Sequence, residues 1–190
     1  MKNQALSRIL ARHLRVRAFE TLRTEEQLGY AAGGGALDLY QHPMVIFYIQ
    51  TPVKGPQDML DRFNAYTLEY RDELMGLSEE SFGKFKAGVL TALTEPPKNL
   101  SSEAGPFASD WAIERYDFDT RANLISAVES ATLDDVQTFY DSTVFGESRS
   151  RIVIQLKGQR YGSEPFGTID GSTVVDDVDQ FHRDMPRQSL

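Results

Sequence analysis

The histidines of this chain are the residues best suited to hold a catalytic metal, and their spacing argues against that use. His13, His42 and His182 lie far apart in the sequence. No two of them share the four-residue helical spacing that places two imidazoles of a zinc peptidase on one face of a helix. The chain also lacks cysteine, which removes thiolate ligands and thiol nucleophiles. We therefore predict no metal site in this chain.

Two other patterns have a structural interpretation that we prefer. Residues 176–182 are rich in aspartate but lack the ligand spacing and glycine turn of a calcium loop, so we interpret them as a solvated acidic tail. The triplet Gly33-Gly34-Gly35 has no Gly-Lys-Ser/Thr after it, and we interpret it as a bulge or a close backbone approach. No Gly-x-Ser-x-Gly elbow occurs, although a serine triad built from distant residues stays open.

Residues 19–30, with the sequence Phe-Glu-Thr-Leu-Arg-Thr-Glu-Glu-Gln-Leu-Gly-Tyr, are the most informative segment for function. From side-chain chemistry alone, Arg23 is expected to pair with Glu20 or Glu26 at helical spacing. Tyr30 is expected to be a strand aromatic that packs on its neighbours. These expectations assign the segment a structural role.

The same segment closely resembles the C-terminal-half signature Phe-x-x-Leu-Arg-Thr-x-x-Gln-Leu-Gly-Tyr of the pitrilysin/insulysin family of zinc metallopeptidases. The likeness covers about residues 6–156, and a weaker likeness occurs at residues 181–186. It extends through residues 47–50, 77–82, 97–100, 116–119, 132–136 and 139–140. The chain is thereby identified as resembling a C-terminal domain of that family.

The resemblance implies roles for three residues. Arg23 and Tyr30 match the family's Arg and Tyr that reach the substrate carbonyl, where N–H and O–H donors stabilise the negative charge that develops on oxygen. Gly29 is implied to let backbone or substrate pass close beside the strand that carries Tyr30. Both donors are accessory catalytic residues in this interpretation.

The resemblance also implies a larger protein around this chain. Family members form a clamshell of four related α+β domains, with zinc held by an inverted His-x-x-Glu-His motif in the first domain. This chain resembles only the last domain, so we expect no cofactor here, zinc in the full-length enzyme, and an isolated chain that is inactive. Its expected partners are the N-terminal zinc-bearing domains of the same protein and peptide substrates.

Composition limits the partners further. The chain has 28 acidic and 20 basic residues and a net charge of −8, which disfavours binding to nucleic acid. Its longest apolar run, residues 44–49, is too short to span a membrane. The compartment stays open between periplasm and cytoplasm.

Hydrophobic periodicity predicts the elements that must position these residues. Helical spacing predicts helices over residues 4–22, from Pro56 to Gly76, from Ser78 to Pro96, over residues 101–116 and 121–129, and from Thr132 onward. A two-residue period predicts strands that begin near Leu28 and at Met44, paired as a hairpin through residues 38–42, and a closing strand over residues 151–157.

This order of elements predicts an α+β fold, with an antiparallel sheet covered mainly on one face by helices. The resemblance specifies the metalloenzyme fold of pitrilysin and mitochondrial processing peptidase. We predict one domain over residues 1–158 and an extended acidic arm over residues 159–190, with Trp111 buried in the helical layer. Family domains open with a strand before the first helix, so the sheet is also expected to lack an edge strand and to leave an edge open to self-association.

A second function is compatible with the same features. The chain could be a non-catalytic interaction module, an inactive paralogue whose sheet edge or first helix binds partner domains. The presence of both Arg23 and Tyr30 favours the peptidase hypothesis, because a purely structural descendant has no chemical need for them.

Overall fold

A computed structural model describes residues 1–39, 42–116 and 118–185. In chain order its elements are α1 (Lys2–Ala18), a π-helical segment (Phe19–Glu25), β1 (Ala31–Leu39), β2 (His42–Gln50), α2 (Pro56–Met75), α3 (Glu79–Thr94), α4 (Leu100–Ala112), α5 (Thr120–Ser130), α6 (Leu133–Val144), a 3₁₀ turn (Gln159–Tyr161) and α7 (Val178–Asp184). The predicted α+β class is confirmed.

The core forms around α1, which contacts β1, α3, α5 and α6. Leu10 and Leu14 of α1 are almost fully buried, together with Tyr70, Val128 and Tyr140 from α2, α5 and α6. Their burial removes large apolar side chains from water, which is the main favourable term in folding. The helical stripe predicted from the sequence is therefore the face that the core covers.

The sheet is a two-stranded antiparallel hairpin whose pairing runs without a break from Ala31↔Gln50 to Leu39↔His42. The predicted hairpin is confirmed, but β1 begins at Ala31 rather than near Leu28. The glycine triplet lies inside β1 and makes no bulge. It does allow a close approach, because a Cβ on Gly34 would lie 2.9 Å from Cγ of Leu14 in α1. The tip of the hairpin, residues 40 and 41, lies outside the described residues.

Two helices begin where the sequence predicted, and a side-chain cap marks each start. The Ser78 hydroxyl accepts a hydrogen bond from the backbone N–H of Ser81 at the start of α3. Thr132 and Asp135 form a reciprocal capping box at the start of α6. Such caps satisfy backbone N–H groups that have no partner within the helix.

Trp111 lies on the surface, so the prediction that it is buried is wrong. Its side chain is 67% exposed and packs edge-on against Tyr116, with the ring centroids 5.8 Å apart. The reason is the position of α4, in which only Asp110 is buried. An apolar stripe at helical spacing becomes a core only where another element covers it.

The predicted closing strand over residues 151–157 also differs from the structure. These residues form no strand among the described part of the chain, and Ile152, Ile154 and Leu156 are 73%, 83% and 93% exposed. Alternating apolar residues specify a half-buried strand only if a neighbouring strand provides hydrogen bonds and cover. The alternating apolar residues are present, but they pair with no strand of the described residues.

Beyond Gly158 the chain contacts the loop before α2 and the first turn of that helix. The Tyr161 hydroxyl donates to the carbonyl oxygen of Pro52 at 2.9 Å, and the backbone N–H of Thr168 donates to Oε1 of Gln57 at 3.0 Å. The division into a domain and an acidic arm stays a prediction, and residues 186–190 lie outside the described residues. Over the described ranges, no helix has the length and apolar character that crossing a bilayer requires.

Candidate functional site

The segment that carries the candidate site leaves α1 in a wide helical turn. Residues 19–25 form a π-helix, in which backbone hydrogen bonds span five residues, and the N–H of Glu26 donates to the carbonyl oxygen of Thr21 at 3.0 Å. Leu22 within the turn and Leu28 after it are both buried. Gln27 adopts a positive φ of 51°, which redirects the chain toward β1. Short π-helical turns are rare and often occur at functional sites.

Arg23 and Tyr30 are brought together by this turn. The guanidinium carbon of Arg23 lies 4.8 Å from the ring centroid of Tyr30 and 4.5 Å from that of Phe19. Both contacts are cation–π interactions, in which the ring face attracts the positive charge. The side chain of Tyr30 is 87% exposed. Tyr30 occupies a bend one residue before β1, so its predicted place on a strand is wrong by one residue.

The expected pairing of Arg23 with Glu20 or Glu26 is wrong. Glu20 pairs with Arg17, and Glu26 accepts a hydrogen bond from Nε of Arg62 at 2.8 Å. No carboxylate of the described residues forms an ion pair with Arg23. Other arginines therefore hold both carboxylates, while Phe19, four positions before Arg23, stacks on its guanidinium. The Arg23 guanidinium is held by ring faces, and its N–H groups donate no hydrogen bond to any residue in the described ranges.

Gly29 has a close backbone neighbour at the end of β2. A Cβ at this position would lie 2.0 Å from the carbonyl oxygen of Gln50 and 3.2 Å from Cα of Thr51. A real Cβ cannot approach backbone so closely. Glycine at this position therefore lets the end of β2 pass directly beside the segment that carries Arg23 and Tyr30.

Two residues next to the candidate site were not predicted from the sequence. Phe19 contacts Arg23, and Arg62 contacts Glu26. Phe19 lies four residues before Arg23, a spacing at which helical side chains meet, so its contact was foreseeable. Arg62 lies on α2, 36 residues from Glu26, and carries no local signal. Hydrogen bonds to Glu26 are the main cause that raises the pKa of Arg62, and bonds to Glu69 add to it.

The histidines do not form a second site. His13 is buried in the core, where burial and the nearby Arg17 lower its pKa to about 4. His42 opens β2 and His182 lies on α7. Throughout the described ranges, no three His, Cys, Asp or Glu side chains are grouped so that they could hold a metal ion.

A cleft of about 560 Å³ lies between the end of α3 and the starts of α4 and α5, and neither Arg23 nor Tyr30 lines it. The buried Asp110 at its wall accepts a hydrogen bond from the Thr120 hydroxyl at 2.6 Å. Arg121 donates to the carbonyl oxygens of Leu93 and Glu95 at the end of α3. These polar groups join helices, which gives the cleft a structural explanation.

Residues 9–108 match the protein family described as PQQ synthase PqqF-like, C-terminal lobe domain 4. The match contains the whole segment from Phe19 to Tyr30. The match covers more than half of the chain, which is enough to assign the chain to a family.

Curated relatives share the sequence over most of this chain. Protease 3 of Escherichia coli (strain K12) is 24% identical over 187 residues, which are 98% of this chain and 19% of that protein. The A-factor-processing enzyme of Saccharomyces cerevisiae is 27% identical over 155 residues, which are 82% of this chain and 15% of that enzyme. The chain thus spans about a fifth or less of the length of these relatives.

A solved structure shares the fold. The crystal structure of pitrilysin superposes with a TM-score of 0.83 at 22% sequence identity, over 97% of this chain and 20% of that chain. This similarity supports the predicted metalloenzyme fold.

Proposed function

Since the chain belongs to the PqqF-like C-terminal lobe domain 4 family and is a C-terminal domain of the pitrilysin/insulinase type of zinc metallopeptidase, we propose that it supplies accessory substrate contacts to a zinc endopeptidase. In this proposal Arg23 and Tyr30 act on the carbonyl group of a bound peptide. The zinc lies in another domain of the same protein.

One observation carries the proposal, namely that Arg23 and Tyr30 are adjacent while their N–H and O–H groups donate no hydrogen bond to the described residues. The guanidinium lies 4.8 Å from the Tyr30 ring, and the described residues offer it no carboxylate partner. A structural arginine usually pairs with a carboxylate, whereas Arg23 is held by two aromatic rings. The arrangement suits a group that must donate hydrogen bonds to something outside the domain.

The proposed chemistry follows from charge development. When a nucleophile attacks a peptide carbonyl, the oxygen gains negative charge and accepts stronger hydrogen bonds. Donors fixed in advance stabilise that oxygen more in the transition state than in the ground state. The Arg23 N–H groups and the Tyr30 hydroxyl are such donors. Arg23 also contributes a permanent positive charge, because guanidinium stays protonated.

The metal chemistry is assigned to the rest of the protein. Bound zinc supplies a Lewis acid and an activated water in a peptidase of this type. The side chains described here do not fit a zinc site, because His13 is engaged in the core and no suitable group of ligands is present among them. We therefore propose that this domain acts only on the substrate and closes part of the chamber around it.

Gly29 contributes to the site by letting the turn pack closely against the end of β2. Its contact with the carbonyl of Gln50 fixes the distance between the turn and the end of β2. A rigid support matters because a donor that is misplaced by about 1 Å can lose most of its catalytic effect. Gly29 is accordingly a substrate-site residue through its backbone.

Replacement of Tyr30 by Phe in the zinc-loaded parent enzyme tests the proposal. The change removes one hydroxyl and keeps the ring over Arg23. We expect kcat to fall about 100-fold, as for the loss of one oxyanion donor, with little change in KM. Tyr116→Phe, at another exposed tyrosine, serves as the control. Unchanged kcat and kcat/KM in a folded Tyr30→Phe enzyme would refute the role of Tyr30.

A second candidate function has its own observation. The alternating side chains Ile152, Ile154 and Leu156 are exposed and form no strand pairing with the described residues. Such a segment can add to the sheet of a partner, as expected of an interaction module. A parent protein that binds partner domains normally but shows no dependence of hydrolysis on Arg23 or Tyr30 would favour this alternative.

A further inference from the structure

Two carboxylates lie three residues from Arg23 in the sequence, Glu20 before it and Glu26 after it, and other arginines hold both. Glu20 pairs with Arg17 of α1. Glu26 is bound by Arg62 of α2, whose Nε donates to Oε2 at 2.8 Å and to Oε1 at 3.1 Å. A second nitrogen of Arg62 also contacts Oε1. Two-point contacts of this kind are the strongest and most directional that arginine makes with a carboxylate.

Arg62 is well placed to keep Glu26 bound. Its side chain is 15% exposed and that of Glu26 is 28% exposed, so solvent screens the pair only in part. Glu69, two turns further along α2, accepts two hydrogen bonds from the same guanidinium at 2.8 and 3.0 Å. The ring of Tyr66 lies 5.7 Å from the guanidinium carbon. Glu69 and Tyr66 thus fix the Arg62 guanidinium, which binds Glu26 through two of its nitrogens.

A free Glu26 would compete for Arg23. The two residues are three positions apart at the end of a helical turn, where opposite charges attract and long side chains can meet. An ion pair between them would occupy N–H donors of Arg23 and weaken the positive field offered to a developing oxyanion. The rings of Phe19 and Tyr30 hold the same guanidinium without using those donors.

We propose that Arg62 is a positioning residue, which holds Glu26 and so keeps the Arg23 guanidinium available to the substrate. Arg62 does not touch the substrate in this proposal and acts only through Glu26. The inference rests on the proposed role of Arg23 as a donor to the peptide carbonyl.

The kinetic test is a rescue experiment in the zinc-loaded parent enzyme. Arg62→Met frees Glu26 and is expected to lower kcat/KM by about two- to fivefold, the range typical of a partly exposed ion pair. The double variant Arg62→Met/Glu26→Gln removes the competing charge and is expected to restore kcat/KM. A purely structural role of Arg62 predicts the opposite, because removing a second member of the pair does not repair lost packing.

Arg71→Met is the matched control. Arg71 also lies on α2 and binds a carboxylate at two points, with Nε and Nη2 donating to Asp141 at 2.7 and 2.9 Å. Loss of this pair should affect stability but not kcat/KM. An equal kinetic loss in Arg71→Met, or a failure of Glu26→Gln to rescue Arg62→Met, would overturn the proposal. Arg62→Gln replaces Arg62→Met if the methionine variant does not fold.

A measurement on this chain tests the same inference without activity. The Nε–Hε resonance of Arg23 reports hydrogen bonding and the shielding by the two rings. We expect it to move downfield in Arg62→Met as Glu26 binds, and to return in the double variant. An unmoved resonance in Arg62→Met refutes the competition even if Arg23 is catalytic. Unchanged kinetics in Arg23→Ala would refute the donor role instead, so the two failures are distinguishable.

Discussion

Nδ1 of His13 lies 2.9 Å from the hydroxyl oxygen of Tyr70 in the centre of the helical core. The His13 ring also packs edge-on against Phe85, with the centroids 4.8 Å apart. We assign the Tyr70 hydroxyl as the donor, which requires a neutral imidazole with its hydrogen on Nε2. His13 therefore works as a buried acceptor that satisfies a buried hydroxyl.

This contact predicts that the chain loses stability in mild acid. Burial and Arg17 lower the pKa of His13 from 6.5 to about 4. Between those values the unfolded state binds a proton that the folded state does not. The contribution of His13 to the free energy of unfolding is therefore fully present above pH 6.5 and is lost as the pH falls toward 4. The full loss is about 3 kcal/mol.

Urea denaturation of this chain between pH 4 and pH 7 measures that loss. His13→Gln keeps an acceptor for Tyr70 but does not titrate. It is expected to show a much smaller pH dependence across this window. Equal slopes in the two proteins would exclude His13 as the cause.

Replacement of Gly29 by Ala should destabilise the fold, because the added methyl would lie 2.0 Å from the Gln50 carbonyl oxygen. Overpacking of this kind costs about 1–3 kcal/mol. Thermal denaturation provides the measurement, with Gly83→Ala as the control, since a Cβ at Gly83 in α3 meets no atom within 4 Å. That control should gain roughly 1 kcal/mol from helix propensity. A Gly29→Ala protein as stable as the unmodified chain would contradict the close approach.

Phe19 should influence catalysis through Arg23. Phe19→Leu removes the ring that lies 4.5 Å from the guanidinium carbon, and we expect kcat/KM of the parent enzyme to fall about two- to fivefold, as an exposed cation–π contact contributes about 0.5–1 kcal/mol. Phe19→Tyr keeps the aromatic face and should retain activity. Phe107→Leu, at another exposed phenylalanine, controls for general effects. Equal activities of the Leu and Tyr variants at position 19 would show that the ring face has no role.

The isolated chain should bind no stoichiometric zinc and cleave no peptide. The reasons are the scattered histidines and the lack of thiolate ligands. Metal analysis after dialysis, combined with a quenched fluorescent peptide, tests both parts. Near-stoichiometric zinc together with cleavage that a chelator abolishes would disprove the assignment of the zinc site to another domain.

The sequence predicted those parts of the fold that depend on local pattern. The α1 stripe, the caps at Ser78 and Thr132 and the hairpin follow from periodicity and from side chains that satisfy nearby backbone groups. Trp111 could not be placed in this way. Its helix has an apolar stripe, but which elements cover that stripe is a property of tertiary structure.

The difference between local pattern and tertiary contact also explains which parts of the candidate site were predicted. Arg23 and Tyr30 were identified from a motif, and their proximity follows from the short turn between them. The pairing with Glu20 or Glu26 was predicted from helical spacing, whereas Arg17 holds Glu20 and Arg62 reaches Glu26 from a distant helix. A contact across 36 residues leaves no periodic signal in the sequence.

The segment from Arg151 to Lys157, which pairs with no strand of the described residues, has a consequence for handling the protein. Its centre, Ile-Val-Ile-Gln-Leu, combines high β-propensity with the absence of charge, proline and glycine. Such windows nucleate cross-β aggregates when they are exposed. The flanking cations Arg149, Arg151 and Lys157 act as gatekeepers, because stacking identical segments in register would bring like charges together. Preparations of this chain should therefore stay dispersed at low ionic strength and form thioflavin-positive fibrils when high salt screens those charges.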